Sequence, residues 1–442
     1  MARTMYVSVS DIMRDPDQTT VYNQQTDRRY IVEGCAGSGK SSLALLLLQK
    51  ILANLGEADE VQTPVYYVTT VHELVECVRQ QFSLFDSPPM YNDYAITGGA
   101  DGMWGRGFIS DLQRKNQDPR GNYMINARSC MLYCRETTRG EKTYYNKDIK
   151  INKKPLYLLI DEAQDFNNAN ILDFMNSAQS GCVFYGDDTQ SIMGFANPMS
   201  LNDIEALLKA RYGKTRADGR VIIYRYTLKR NWRLSKEIAA FAQALPNGVS
   251  DPNLLTRCRG EYHEKPVLCP MNGEFEMFEY IRARAIKATL DDDVAIILRT
   301  NEDVKRFYEA LKGMSNVSAR YSIEEKRDFE TSEEASKFVI YENKKPNVKA
   351  KRDKDNSKAV IVEKYSYLEN TPVKIMTYEN AKGQQFRDVF LVGTNDIQND
   401  PEGLNRFYVG VTRAERFLRI MYSVQLPAFL QNVDPDLYVI TD

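Results

Sequence analysis

The octapeptide Gly34-Cys35-Ala36-Gly37-Ser38-Gly39-Lys40-Ser41 has the spacing GxxxxGK[ST] of a phosphate-binding loop, with an apolar run before it and an apolar helix, about 42–52, after it. Glycines let the backbone curl until successive N–H groups face one anion. The helix that follows adds its positive end, and Lys40 supplies a point charge for β- and γ-phosphates. Ser41 is placed to hold Mg²⁺ and Ser42 opens the helix. Gly34, Ala36, Gly37, Ser38, Gly39, Lys40, Ser41 and Ser42 are therefore the candidate ATP-binding set. A nucleotide site also needs a carboxylate at the end of a second strand, and Leu158-Leu159-Ile160-Asp161-Glu162 supplies two. Asp161 can ligate Mg²⁺ through its water shell, and Glu162 beside it can polarise the attacking water as a general base. An acidic pair at a strand end is, taken alone, as often a turn or helix cap; the phosphate loop gives this pair its chemical reading.

These groups need a scaffold of buried strands, and short apolar runs supply one. A first set lies at 30–32, 65–68, 156–160, 182–185 and 221–226, and a second at 294–298, 373–376, 389–392 and 417–421. Each is followed by polar or glycine-rich turns and a helical stretch, the pattern of parallel sheets covered by helices. Two clusters of strands imply two α/β units, and 442 residues suit about three domains. The expected boundaries are 1–87 and 151–245 for a first lobe, 88–150 for an inserted subdomain rich in Gly, Asn, Arg and Tyr, and 246–442 for a second lobe. The second lobe carries a short charged insertion near 311–371. Within it, 342–358 holds seven Lys or Arg against three acidic residues and reads as a solvated mobile loop.

Composition narrows the function classes. Fifty-eight basic against 60 acidic residues, net charge −2, create no global field for nucleic acid, so any such partner rests on motifs. The seven cysteines are scattered and odd in number, which fits reduced thiols in a cytoplasm better than a disulfide framework. Only two histidines are present and no CxxC pair, which argues against a zinc site or a histidine-based triad. The longest greasy run, 43–48, is far short of the roughly 20 residues that cross a bilayer, so no membrane partner is expected.

The longer string Asp161-Glu162-Ala163-Gln164-Asp165 resembles the DEAQD box of superfamily 1 helicases of the UvrD/Rep type, and further boxes follow in that family's order over about residues 18–423. Gln18 resembles the adenine-reading glutamine. Gly186-Asp187-Asp188-Thr189-Gln190-Ser191-Ile192 is similar to motif III, in which Gln190 would sense the γ-phosphate. Asn231-Trp232-Arg233 resembles the NYR box, so that Arg233 would contact the γ-phosphate and Trp232 stands where a tyrosine stacks on adenine. Arg299 falls in a stretch similar to motif IVa, and Thr377 and Lys382 in one similar to motif V. Tyr408-Val409-Gly410-Val411-Thr412-Arg413-Ala414 resembles motif VI, making Arg413 the candidate arginine finger.

Motif V departs from the family at Glu379, where a histidine is usual, and at Gln385, where a glutamate is usual. Gln385 keeps the capacity to bond a ribose hydroxyl. Met193 replaces the usual tyrosine of motif III, while Phe195 matches its base-stacking aromatic. Val68-Thr69-Thr70-Val71-His72 occupies the place of motif Ia with a poor match, leaving Thr70 and His72 as strand contacts or His72 as an ordinary helix-start residue.

The resemblance implies two RecA-like P-loop lobes with ATP between them. The cofactors are ATP and Mg²⁺, and the catalytic set is Lys40, Asp161, Glu162, Gln190, Arg233 and Arg413. Single-stranded DNA is the implied partner, with RNA not excluded, contacted through Thr70, His72, Phe195, Arg299, Thr377 and Lys382. The expected activity is that of an ATP-dependent DNA helicase or single-stranded DNA translocase moving 3′ to 5′. The alternative is a nucleic-acid-sensing ATPase switch that gates a partner. The reduced insertions imply a partner protein that supplies the missing duplex grip, or a nuclease.

Overall fold

Six consecutive apolar residues, 43–48, cannot sit on a surface helix, and in the computed structural model all six are buried. The structure describes residues 9–25, 28–54, 65–69, 96–98, 136–139, 142–145, 157–178, 180–192, 198–246, 251–289, 292–311, 313–345, 347–352, 358–365 and 371–441. Their contacts divide into two compact units. One runs through Gln243 and takes in Asn247–Tyr262; the other is His263–Asp442 with Ala244–Pro246.

In the N-terminal unit the elements are α1 (Val9–Ile12), α2 (Pro16–Tyr22), β1 (Arg29–Gly34), α3 (Lys40–Asn54), β2 (Val65–Thr69), β3 (Ile96–Gly98), the hairpin strands β4 (Glu136–Arg139) and β5 (Lys142–Tyr145), and β6 (Tyr157–Ile160). Then come α4 (Asn168–Ser177), β7 (Gly181–Gly186), α5 (Leu201–Tyr212), β8 (Arg225–Leu228), α6 (Lys236–Gln243) and α7 (Leu254–Arg257). Six strands form an all-parallel sheet in the order β3-β2-β6-β7-β1-β8. Alternation splits β1 between two cores. Tyr30 and Val32 join the leucines of α3, while Ile31 packs with α4 and α5 on the other face. Because the strands are parallel, the carboxyl ends of β1, β6, β7 and β8 share one edge, where an open α/β sheet binds its ligand. The phosphate loop, Asp161, Asp187 and Asn231 all follow those ends.

The C-terminal unit comprises β9 (Val267–Met271), α8 (Glu274–Ala285), β10 (Val294–Leu298), α9 (Asn301–Leu311), β11 (Val317–Ala319), β12 (Tyr321–Asp328), α10 (Ser332–Glu342), β13 (Val348–Arg352), β14 (Lys358–Tyr365), β15 (Val373–Thr377), α11 (Tyr378–Ala381), β16 (Phe386–Leu391), α12 (Pro401–Val411), β17 (Ala414–Ser423) and β18 (Val439–Ile440). Its main sheet, order β11-β15-β10-β16-β17-β9-β18, is again all parallel. Two RecA-like α/β lobes are thus present, as expected.

Two expectations change. The run 221–226 is a strand only at its end: residues 214–222 fold back on themselves, Val221 and Ile223 lie exposed, and β8 begins at Arg225 and runs on to Leu228. The lysine-rich stretch 342–358 is not a loop throughout, since 348–352 form edge strand β13, antiparallel to β14. Val348 and Ala350 turn inward while Lys349, Lys351 and Arg352 stay in solvent, a charged edge of the kind that resists pairing with another chain. Strand β3 falls within 88–150 and forms an edge of the first main sheet. Most of the remaining expected insertion lies outside the described residues.

Candidate active site

The phosphate loop is shaped from outside. Three consecutive carbonyls accept hydrogen bonds from distant segments: Ala36 O from Asn231 Nδ2, Gly37 O from the Trp232 amide at 3.0 Å, and Ser38 O from Gln18 Nε2 at 2.8 Å. Across a planar trans peptide the N–H points opposite to the C=O, so the amides of Gly37 and Gly39 face away from these donors. Both glycines have positive φ. A Cβ at Gly37 would stand 2.6 Å from Arg233 Cβ, and one at Gly39 2.6 Å from Gln18 Nε2, so close wrapping and backbone conformation both demand glycine. Asn231 is fully buried. Its Oδ1 accepts from the amides of Arg233 and Leu234, which pins the tripeptide that braces the loop.

Lys40 is buried, and its ammonium donates to Gly34 O at 2.5 Å and Cys35 O at 3.2 Å. Ser38 Oγ is buried with no hydrogen-bond partner among the described residues. Burial pushes the Cys35 thiol up to about 12, so it stays a neutral wall of the loop.

Strand β6 delivers Asp161 to the first turn of α3, where its Oδ2 accepts from Ser41 Oγ at 2.6 Å and from the hydroxyl of Tyr67 on β2. Burial, and then the charge of Glu162, raise the Asp161 carboxyl above the ordinary range, against the opposing pull of Ser41, Tyr67 and Lys40. Burial and Asp161 likewise push the Tyr67 phenol well up, so it remains a donor. A hydroxyl and a carboxylate oxygen are the hard ligands that Mg²⁺ takes, one or two from protein and the rest from phosphate and water. Among the described residues no group of three or more His, Cys, Asp or Glu forms a metal cage. The donor set and the orphan Ser38 hydroxyl both fit a magnesium-bound phosphate ligand.

Glu162 is held in the left-handed region at φ 55°, an uncommon conformation for a side-chain-bearing residue. Its Oε2 accepts from Gln164 Nε2 at 2.5 Å, Gln164 Oε1 accepts from the Asp187 amide at 3.1 Å, and Asp187 Oδ2 accepts from Gln190 Nε2. One continuous chain of bonds therefore joins the acid pair to Gln190. Trp232 is 45% exposed, and its Nε1 donates to Asp15 Oδ2 at 2.9 Å. Arg233 is half-buried.

In the C-terminal unit Arg413 follows α12 and is, among the described residues, the largest fully buried side chain. Its Nε donates to Val409 O at 3.0 Å, Nη1 to Gln384 O at 3.1 Å and Nη2 to Thr412 Oγ1 at 3.1 Å. Thr377 Oγ1 caps α11 by accepting from the Asn380 amide at 3.3 Å, and Glu379 Oε1 accepts from Arg406 Nε at 3.0 Å. Residues 372–421 match the UvrD-like helicase C-terminal domain family. The matched segment holds β15, β16 and nearly all of β17, with Arg413 between.

Two solved structures are similar at a distance. The C-terminal domain of a possible DNA helicase from Lactobacillus plantarum WCFS1 is 15% identical with TM-score 0.30, over 48% of this chain and 99% of that one. The helicase of PRRSV is 12% identical with TM-score 0.37, over 92% of this chain; the match spans 54% of that helicase. No protein of curated function matches the sequence.

The N-terminal unit thus gathers Gln18, residues 34–42, Asp161, Glu162, Gln190, Trp232 and Arg233 along one sheet edge. Lys382 and Thr377 are buried, Gln385 is half-buried, and Arg299 is exposed, with Nη1 donating to Asp396 O at 3.3 Å. Thr70, His72, Met193 and Phe195 lie outside the described residues. Asp15, Tyr67 and the role of Gln164 escape a motif reading. Asp15 carries one legible signal, an Asx residue before proline at a helix start. Tyr67 carries none, because an alternating strand tyrosine looks like core. Among the described residues no helix is long and apolar enough to cross a membrane.

Proposed function

We propose that this chain is a nucleic-acid-stimulated ATPase that translocates on, or unwinds, DNA in the 3′ to 5′ direction. The observation that carries the reading is the phosphate loop braced at three successive carbonyls, with the Asp161 carboxylate against Ser41. Lys40 exchanges its carbonyl partners for phosphate oxygens. Glu162, oriented by Gln164, takes a proton from the attacking water. Gln190, tied through Asp187 and Gln164 to Glu162, reports the state of the γ-phosphate, and Arg233 and Arg413 add positive charge as the phosphoryl group transfers. Ser41 and Asp161 would hold Mg²⁺, which would supply neutralisation of the phosphate charge. Loss of the γ-phosphate removes the contacts that favour one conformation, and that differential drives the cycle. Among the strand-contact candidates, we assign exposed Arg299 to a phosphate backbone; a partner that supplies the duplex grip, or a nuclease, belongs to the same proposal.

The test is ATP turnover with and without single-stranded DNA, followed by streptavidin displacement from end-labelled strands. Stimulation with displacement from one end supports a motor. Stimulation without displacement favours a gating switch, and turnover indifferent to both DNA and RNA overturns the reading.

A further inference from the structure

One buried carboxylate lies where the start of α2 meets the segment that carries Trp232. Asp15 is only 1% exposed, and its two oxygens divide their work. Oδ1 caps α2, accepting from the amides of Asp17 at 2.9 Å and Gln18 at 3.4 Å, whereas Oδ2 accepts from Trp232 Nε1 at 2.9 Å. The indole N–H is a donor only, so this bond orients the ring as well as attaching it. The same two segments meet the phosphate loop independently, Gln18 through Ser38 O and Trp232 through Gly37 O. Arg230 stands 4.0 Å from Asp15, Arg230 Nη1 donates to Arg14 O, and the Lys229 amide donates to Asp17 Oδ2. A large aromatic that is nearly half exposed, yet tethered at its polar tip to a buried acid, is a ring held ready for a planar ligand.

We propose that Asp15 is a positioning residue for the nucleobase: it holds the Trp232 ring in register with Gln18, so that both address the same base. The inference rests on the reading of Trp232 as the base-stacking residue. Asp15→Ser separates its two tasks, because serine still caps a helix but is too short to reach the indole. Trp232→Phe keeps an aromatic face and deletes the donor.

The chain has two tryptophans, so a Trp104→Phe background lets emission report residue 232 alone. ATP binding is followed by that emission and by calorimetry, and inorganic tripolyphosphate probes the phosphate loop without a base. In this background Asp15→Ser is expected to weaken ATP binding about three- to tenfold, the range of one ordinary net hydrogen bond, and tripolyphosphate binding less than about twofold. Added to Trp232→Phe, it has no further effect on ATP. Equal losses for ATP and tripolyphosphate, or effects of the two substitutions that multiply, overturn the tether. ATP binding seen by calorimetry without any change in residue 232 emission overturns the stacking reading itself, before any Asp15 variant is made. If Asp15→Ser fails to fold, Trp232→Phe alone decides: loss of ATP affinity with tripolyphosphate affinity retained supports the tether, and unchanged ATP affinity overturns it.

Discussion

Lys40 and Arg413 are both buried cations that rest on carbonyls of their own units, but they are held in different ways. The Lys40 ammonium touches two adjacent carbonyls of a single turn, Gly34 O and Cys35 O, and can swing off them about a flexible stem. The Arg413 fork is tied in three directions: to the helix end at Val409, to Thr412, and to the segment after α11 at Gln384. Arg413 therefore holds the C-terminal unit's own structure together at the junction of α12 and β17, and any contact with a phosphate requires it to release some of those bonds. Lys40 is held on one side by one turn, whereas Arg413 bolts three segments of its unit together.

That contrast can be broken most sharply at Arg413. Arg413→Ala is expected to lower ATP turnover by about 10³-fold or more if the guanidinium serves the transferring phosphoryl group. It should also destabilise the chain by about 2–4 kcal/mol, since a buried side chain is removed, Gln384 O loses its guanidinium donor, and Val409 O keeps only Thr412 Oγ1 of its two side-chain donors. Steady-state kinetics with thermal unfolding checks both. Glu162→Gln comes next, with turnover falling about 10²- to 10⁴-fold and ATP affinity retained. The unfolding temperature of the nucleotide-free chain should rise, because the charge that disfavours ionised Asp161 is gone; hydrolysis at the normal rate would falsify the general-base role. Lys40→Ala should weaken ATP binding about 10- to 100-fold, the loss of one charge-assisted contact, with little change in unfolding temperature. If its unfolding temperature drops as far as that of Arg413→Ala, the two cations are equally structural and the comparison fails. Gly37→Ala is expected to introduce about 1–3 kcal/mol of strain, shared between a lower unfolding temperature and weaker ATP binding, because φ is +76° there and Arg233 Cβ blocks the new methyl.

The legible parts of this protein are those whose physics is local. The glycines and Lys40 of the phosphate loop are readable because curling a backbone around an anion needs particular residues at fixed spacing. The all-parallel sheets show themselves because strands buried on both faces become unbroken apolar runs, as at 156–160 and 182–185. Where local patterning misleads, a neighbour outvotes it. Residues 221–226 look like one strand, but the fold-back around Gly219 takes up the first of them and the sheet begins only at Arg225; the lysines of 348–352 look like a loop until β14 offers Val348 and Ala350 an inner face.

Asp161 and Glu162 end an apolar run in any reading of the chain, and Lys40 follows its glycines, so the residue types for phosphate chemistry were decided by the order of amino acids alone. Their arrangement was not. Asn231 reaches Ala36 across 195 residues and Tyr67 reaches Asp161 across 94, and no periodicity encodes such a meeting. Only the packed fold brings those donors to the loop, because a buried carbonyl or carboxylate must find a partner and takes the one that the tertiary structure sets beside it.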